Sequence, residues 1–416
     1  MQHLRIKYKT ILHWVFWICL LQGFISDYAG FRQINYLCDA FLLCLLIVMV
    51  CRGQMPVPRI RRNTEMAAVA AFAAVVVAGW FLNDFSVMRA LWGLRNYGRF
   101  FLFYGMLLIC WDQEDVAKVE ESFIKVFPVH MVLVTIQYLA EGLEQDRLSG
   151  LFGRIVGGNA GLLIYLSIVF CIALCRYQYG KISLSRFLVF LSLMLVNAAL
   201  SELKFFFVLV VLLVMWYLFI VRRKGKGMML ALSFAAALYI GLQIFYAVFP
   251  EWANYLTLDN ILTILSDQEV YATKYDIGRT AVFSKMTPMI VDWAGRDALF
   301  FGIGLGNGDY SDGFRMLNSA FFHVYQDTHY TWLSLGYLFA ETGYLGTIAY
   351  VSFFAILEVK AIAAYQKNNS YYNMLGTFFP LMFMCILLYN ASLRSNFAYM
   401  AFAVLTWQCL AERKER

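Results

Sequence analysis

Few side chains in this sequence suit proton transfer or the holding of a developing negative charge, and they fall into short groups. His329 stands in QDTHYTWLSLGYLFAETGYLG, where a polar loop meets an apolar run. A neutral imidazole there accepts a proton from a hydroxyl at ordinary pH; the plain alternative is a satisfied polar group at a boundary. Arg279 follows a glycine at the head of GRTAVFSKMTPMIVDWAG, and Arg154 precedes Gly157-Gly158-Asn159 in DRLSGLFGRIVGGNAG. Backbone N–H groups at a helix start attract anions, and a neighbouring guanidinium adds a bidentate clamp for phosphate. Turn chemistry alone also explains those glycines. Arg95 and Arg99 are spaced i, i+4 in RALWGLRNYGRFF, so they share a helix face and could line a cleft that draws an anion; Arg89 reads equally as a headgroup contact. Glu202 and Lys204 in SELKFFF form either a charged wall or a self-compensating pair at a tight turn. Glu341 lies about three turns beyond His329 on the same expected helix. That is too deep for contact with His329, and suits a buried partner for another span.

The elements that position these groups must live in a bilayer. Of 416 residues, 61% are hydrophobic and only 15% charged, with a mean hydropathy of +0.63. A soluble domain carries about 25% charged residues and needs a polar skin. This composition excludes a soluble enzyme, a disordered chain and a secreted disulfide scaffold. Crossing roughly 30 Å of hydrocarbon takes about 20 apolar residues as a helix. Twelve such stretches are expected, at 11–29, 35–51, 65–83, 92–111, 121–140, 160–176, 184–200, 203–221, 228–249, 331–357, 371–389 and 395–411. The fold class expected is therefore an all-α polytopic membrane protein of about twelve transmembrane helices. Residues 1–249 form the first nine spans, 250–330 a long, partly helical outer loop, and 331–416 the last three spans.

Sidedness follows from Lys and Arg in short loops. With both termini inside, 20 of the 34 basic residues fall on the inner side, most densely in VPRIRRN and VRRKGKG. The long loop is then external, and the first span is retained rather than cleaved. The net charge of +7 reflects these anchors and implies no nucleic-acid partner. All nine cysteines lie within or at the ends of apolar runs, none in the long loop, so no disulfide framework and no metal site is expected. No internal repeat is evident, which disfavours the transporter folds built from duplicated halves.

The long loop holds ten acidic and five basic residues, so its arginines are particular rather than a general coat. Phe283, Met286, Ile290 and Trp293 recur at helical spacing, which predicts a helix on the membrane surface with Arg279 at its start. FFGIGLGNGDYSDG lacks a following Lys-Ser/Thr and a flanking βα unit, so it reads as a loop of close backbone turns, not a nucleotide loop. Loop aromatics, among them Trp252, Tyr255, Tyr271, Tyr275, Trp293 and Tyr310, suit either sugar stacking or the interfacial belt.

One late outer loop carrying GRIVGGNAG upstream, then Gly278-Arg279, ALFFGIGLGNG, His329 with Leu333, and Glu341-Thr342-Gly343, resembles the O-antigen ligase and Wzy-type polysaccharide-polymerase superfamily. The likeness covers about residues 90–350 and is most specific from Arg279 to Gly346. Tyr330 stands where that family usually has Asn, and Gly158-Asn159-Ala160 where it often has Asn-Pro-Asn. The resemblance implies a GT-C-like glycosyltransferase of the bacterial inner membrane. It would act at the outer leaflet on polyprenyl-diphosphate-linked glycans, without metal or other cofactor. It further implies His329 as base or positioner of the attacking hydroxyl. Arg279 and Arg154 would lie at the diphosphate, with Arg95, Arg99, Glu202, Lys204 and Tyr275 as substrate contacts. A polymerase of lipid-linked repeats is the leading expectation, in company with a flippase and a chain-length regulator. A ligase onto lipid A core and a flippase are the alternatives.

Overall fold

A computed structural model describes residues 2–55, 58, 63–155, 157–221, scattered positions between 235 and 250, 276–311 and 313–411. The expected ninth span, the basic anchors at 59–62, 222–226 and 413–416, and Trp252, Tyr255, Tyr271 and Tyr275 fall largely or wholly outside the described residues. The described residues form helices joined by loops, with no strand among them.

The helices in order are α1 (Gln2–Tyr28), α2 (Leu37–Cys51), α3 (Glu65–Leu82), α4 (Val87–Cys110), α5 (Gln113–Leu139), α6 (Asn159–Gln178), α7 (Leu184–Leu200), α8 (Lys204–Ile220), α9 (Val282–Ala294), α10 (Ser334–Lys367), α11 (Tyr371–Tyr389) and α12 (Ala398–Ala411). Seven of them are long and apolar enough to cross a membrane: α1, α2 with its preceding turn, α3, α5, α6, α10 and α11. The apolar helices α7, α8 and α12 are shorter. The helix α4, 24 residues long and carrying Arg89, Arg95 and Arg99, is not among those seven. The helix α6 is the central post, buried along nearly its whole length. Packing around it is heavily aromatic: Phe101 meets Tyr350, Phe353 and Phe402, and Phe100 stacks on Phe402 at 5.4 Å. Between helices in lipid, close van der Waals fit of this kind does the work that water exclusion does in a soluble core.

The loops sort to two ends. At one end Arg52 reaches Tyr8, Lys9 pairs with Asp112 and Asp115, Arg176 with Glu120 and Glu121, and Lys360 with Glu65. At the other, Tyr28 bonds Glu141, Asn396 bonds the Asn35 carbonyl, Asn307 bonds the Asp84 carbonyl, and Ser201 bonds the Leu148 carbonyl. The segment 276–333 joins this second end.

Gly343 breaks α10 with φ +62° and ψ −164°. The Ala340 carbonyl, which a continuous helix would pair four residues on, instead accepts from Ile303 N–H at 2.8 Å. The glycine loop 302–308 therefore lies across the break. A Cβ at Gly302 would sit 2.2 Å from the Glu341 carbonyl carbon, and one at Gly343 2.6 Å from the Leu299 oxygen. Trp80 and Asn83 of the α3 end donate to the Leu305 and Gly302 carbonyls, and Glu341 accepts from Gly306 N–H at 3.1 Å. The glycines are thus there for close backbone approach. The apolar stripe of α9 is covered by protein: Val282, Met286 and Ile290 are buried with Phe321, Tyr330 and Phe339, while Trp293 packs on Phe321 and Tyr325. Its expected bed was the membrane surface; here the loop and the first half of α10 supply it.

Candidate active site at the break of the tenth apolar helix

His329 is held just ahead of α10 by two short turns. Its backbone is left-handed, φ 53° and ψ 26°, a conformation uncommon outside glycine though His tolerates it better than most. The turns pin it: His329 N–H donates to the Gln326 carbonyl and the His329 carbonyl accepts from Trp332 N–H. The imidazole stacks on the Trp332 ring at 4.0 Å. Its Nδ1 lies 2.6 Å from Asp276 Oδ1, and the Asp276 side chain is only 2% exposed against 33% for His329. A backbone bond from Ile277 N–H to the Thr328 carbonyl ties the two segments together, and Lys285 donates to the Asp276 carbonyl. A carboxylate on Nδ1 fixes the tautomer that leaves Nε2 as the proton acceptor, and stabilises the imidazolium once the proton arrives.

Arg279 is three residues from Asp276, so chain geometry alone keeps the two Cα atoms within about 11 Å of each other. Its half-buried guanidinium donates from Nε to the Tyr389 carbonyl at 2.9 Å and lies over the Tyr389 ring at 4.3 Å. Phe205 stacks on the same ring at 4.1 Å, and its neighbour Lys204 pairs with Glu202 at 2.9 Å. The charged turn between α7 and α8 therefore shares a wall with Arg279. Glu202 has φ 55°, ending α7 in a left-handed residue, so the pair does close a tight turn. Beside it, burial and then repulsion from Glu202 push the Asp146 carboxyl above the usual carboxylate range.

The other arginines are placed elsewhere. Arg154 lies over Tyr28 at 4.8 Å and 3.8 Å from Glu141, its N–H bonded to Asp27. The amides of Ala160, Gly161 and Leu162 at the start of α6 bond back into the preceding turn, and Asn159 is taken by Asp146. Arg95 and Arg99 do align on α4, but toward one carboxylate. Asp39 accepts from Arg95 at 2.7 Å and from Arg99 at 2.9 Å, and from Tyr399 at 2.8 Å. Arg99 also holds Asn396 at 2.5 Å. This is an internal strut between α2, α4 and the loop before α12, in place of the open anion cleft that spacing suggested. Glu341 lies 4.0 Å from Arg394, which belongs to the α11–α12 loop and not to another span.

Asp276, Asp39, Asp309 and Arg394 escaped the sequence reading. Asp276 stands three residues before Arg279 in the segment YDIGR, and that adjacency was its one signal. No protein-family model matches the chain, and no curated protein matches its sequence.

Proposed function

We propose that the chain is a membrane glycosyltransferase that polymerises polyprenyl-diphosphate-linked repeat units at the outer face of a bacterial inner membrane. The observation that carries this reading is the buried Asp276 carboxylate on the Nδ1 of a partly exposed His329, with Arg279 on the same short segment. In this reading the chain makes about twelve crossings with both termini inside. The basic loops then mark the inner side, and His329 meets the outer leaflet.

The reaction needs two things from the protein. An acceptor hydroxyl oxygen attacks the anomeric carbon of the donor sugar while its proton passes to His329 Nε2. The bond from that carbon to the diphosphate oxygen breaks, and the electron pair leaves with the lipid diphosphate. Cationic groups beside the leaving group stabilise the charge that grows there. Arg279 supplies the nearest, with Lys204 behind Phe205, and Arg154 is a further cation at the same end of the bundle. A ligase acting on lipid A core uses the same chemistry, and the assay below separates the two.

His329→Ala and Arg279→Ala are each expressed in cells lacking the chain, membrane levels are matched, and surface glycan is resolved on a gel. Loss of long chains with accumulation of lipid-linked repeats is the expected result for both. Long chains unchanged in both variants would remove the enzymatic reading. Loss of all transfer to the lipid core, single repeats included, would point to ligation in place of polymerisation.

A further inference from the structure

A cleft opens at the same end, beside residues that Tyr330 contacts. It has a volume of about 310 Å³ and is walled by Tyr36, Trp92 and Tyr310, with Asn96, Asp309 and Arg394 on its floor. That volume falls at the small end of ligand cavities, which run to about 300–1,000 Å³. We propose that this cleft is a saccharide subsite, holding one or two sugar residues of the lipid-linked glycan; the assignment rests on the glycosyl-transfer reading above.

The electrostatics select an uncharged ligand. Among the described lining residues Asp309 and Arg394 are the only carboxylate and the only guanidinium, and they are paired with each other. Asp309 also accepts from Asn96 at 2.5 Å and from the Tyr310 amide at 2.7 Å. A phosphate would meet no spare cation there, and a metal ion would meet a carboxylate already neutralised. Polar capacity of the hydroxyl-binding kind remains. The lining also carries the Ser311 hydroxyl and the phenol groups of Tyr36, Tyr310 and Tyr337.

The walls are aromatic rings that each have a stacking partner, and a flat ring suits the C–H face of a pyranose. Arg95 lies over Trp92 at 4.6 Å and over Tyr36 at 5.2 Å, while Phe322 stacks on Tyr310 at 4.5 Å and 11°. The strut of Arg95 on Asp39 thus gains a second purpose, fixing two rings of this cleft. The cleft is also coupled to the dyad. Tyr330 adjoins His329, donates to the Gly308 carbonyl beside Asp309 at 2.5 Å, and packs on Tyr337, which lies under the Arg394 guanidinium at 3.4 Å.

The test uses the purified full chain in nanodiscs and the lipid-linked repeat extracted from cells lacking it. Trp92→Ala and Tyr310→Ala should raise KM for that substrate at least tenfold, a larger change than any loss of kcat, whereas His329→Ala should lower kcat. The free oligosaccharide, released from the same lipid by mild acid, should inhibit the wild type and lose at least tenfold in potency against Trp92→Ala. Trp92→Phe, which keeps a ring and removes the N–H, should fall between. Unchanged KM in both alanine variants overturns the subsite while leaving the dyad standing. Full activity of His329→Ala overturns the dyad and leaves the KM comparison in force. A wild-type chain that transfers nothing overturns both.

Discussion

Replacing Asp276 with Asn probes the dyad at its buried end. The carboxylate accepts from His329 Nδ1 across 2.6 Å and is almost wholly enclosed, so its hydrogen bond is charge-assisted and poorly screened. Asn has the same shape, but its carboxamide either donates to Nδ1, moving the ring proton to Nε2, or accepts without the charge that steadies an imidazolium. A hydrogen bond to a charged group contributes about 1.5–3 kcal/mol. At about 1.36 kcal/mol per decade of rate, the loss is about 10- to 150-fold in single-turnover transfer, with the chain at normal membrane level. His329→Ala should cost more, about 10²–10⁴, which is the usual scope of a general base. The double variant should be no slower than His329→Ala alone, because Asp276 acts only through that ring. A rate for Asp276→Asn within threefold of the wild type, or losses that multiply in the double variant, would refute the assignment.

The arginines of α4 should show their effects in stability. Arg99, its side chain 7% exposed against 21% for Arg95, also bonds Asn396, so Arg99→Ala should cost about 3–5 kcal/mol and Arg95→Ala clearly less. Thermal unfolding in detergent reads the difference, and equal losses would contradict the strut. Gly302→Ala and Gly295→Ala both place a side chain at positive φ, yet only the first drives a Cβ into the Glu341–Thr342 backbone. Gly302→Ala should abolish recovery of folded protein, while Gly295→Ala should cost about 1–2 kcal/mol, a modest fall in melting temperature.

How far these features were legible in the sequence depends on the range of the physics behind them. Membrane helices are local: an apolar run and its basic flanks announce themselves, and α1, α3, α5, α6, α10 and α11 lie where such runs were expected. The glycine loop was legible as a site of close backbone approach, since nothing else in GIGLGNG could serve chemistry. His329 stood out by type and position. Asp276 did not, because one acid among ten in a loop becomes special only when Ile277 bonds Thr328, some fifty residues on. Spacing correctly put Arg95 and Arg99 on one face of α4. It could not say that Asp39, on another helix, already occupied that face. The cleft by Trp92 joins residues from five separate stretches of chain, and no local pattern encodes such a meeting.

The break at Gly343 also sets how deep the site rides. A continuous helix from Ser334 to Lys367, 34 residues, would run about 51 Å, far beyond roughly 30 Å of hydrocarbon. Such a rod must tilt to match bilayer thickness, and its far end would swing with every change in lipid composition. Breaking the rod leaves about 24 residues, roughly 36 Å, to span, and gives the first nine to the structure around His329 and the glycine loop. The longer piece packs along α3, while the shorter is clasped through Glu341, Ile303 and Tyr330. Gly343 thus divides one overlong helix into a piece of membrane length and a short arm built into the loop structure around His329.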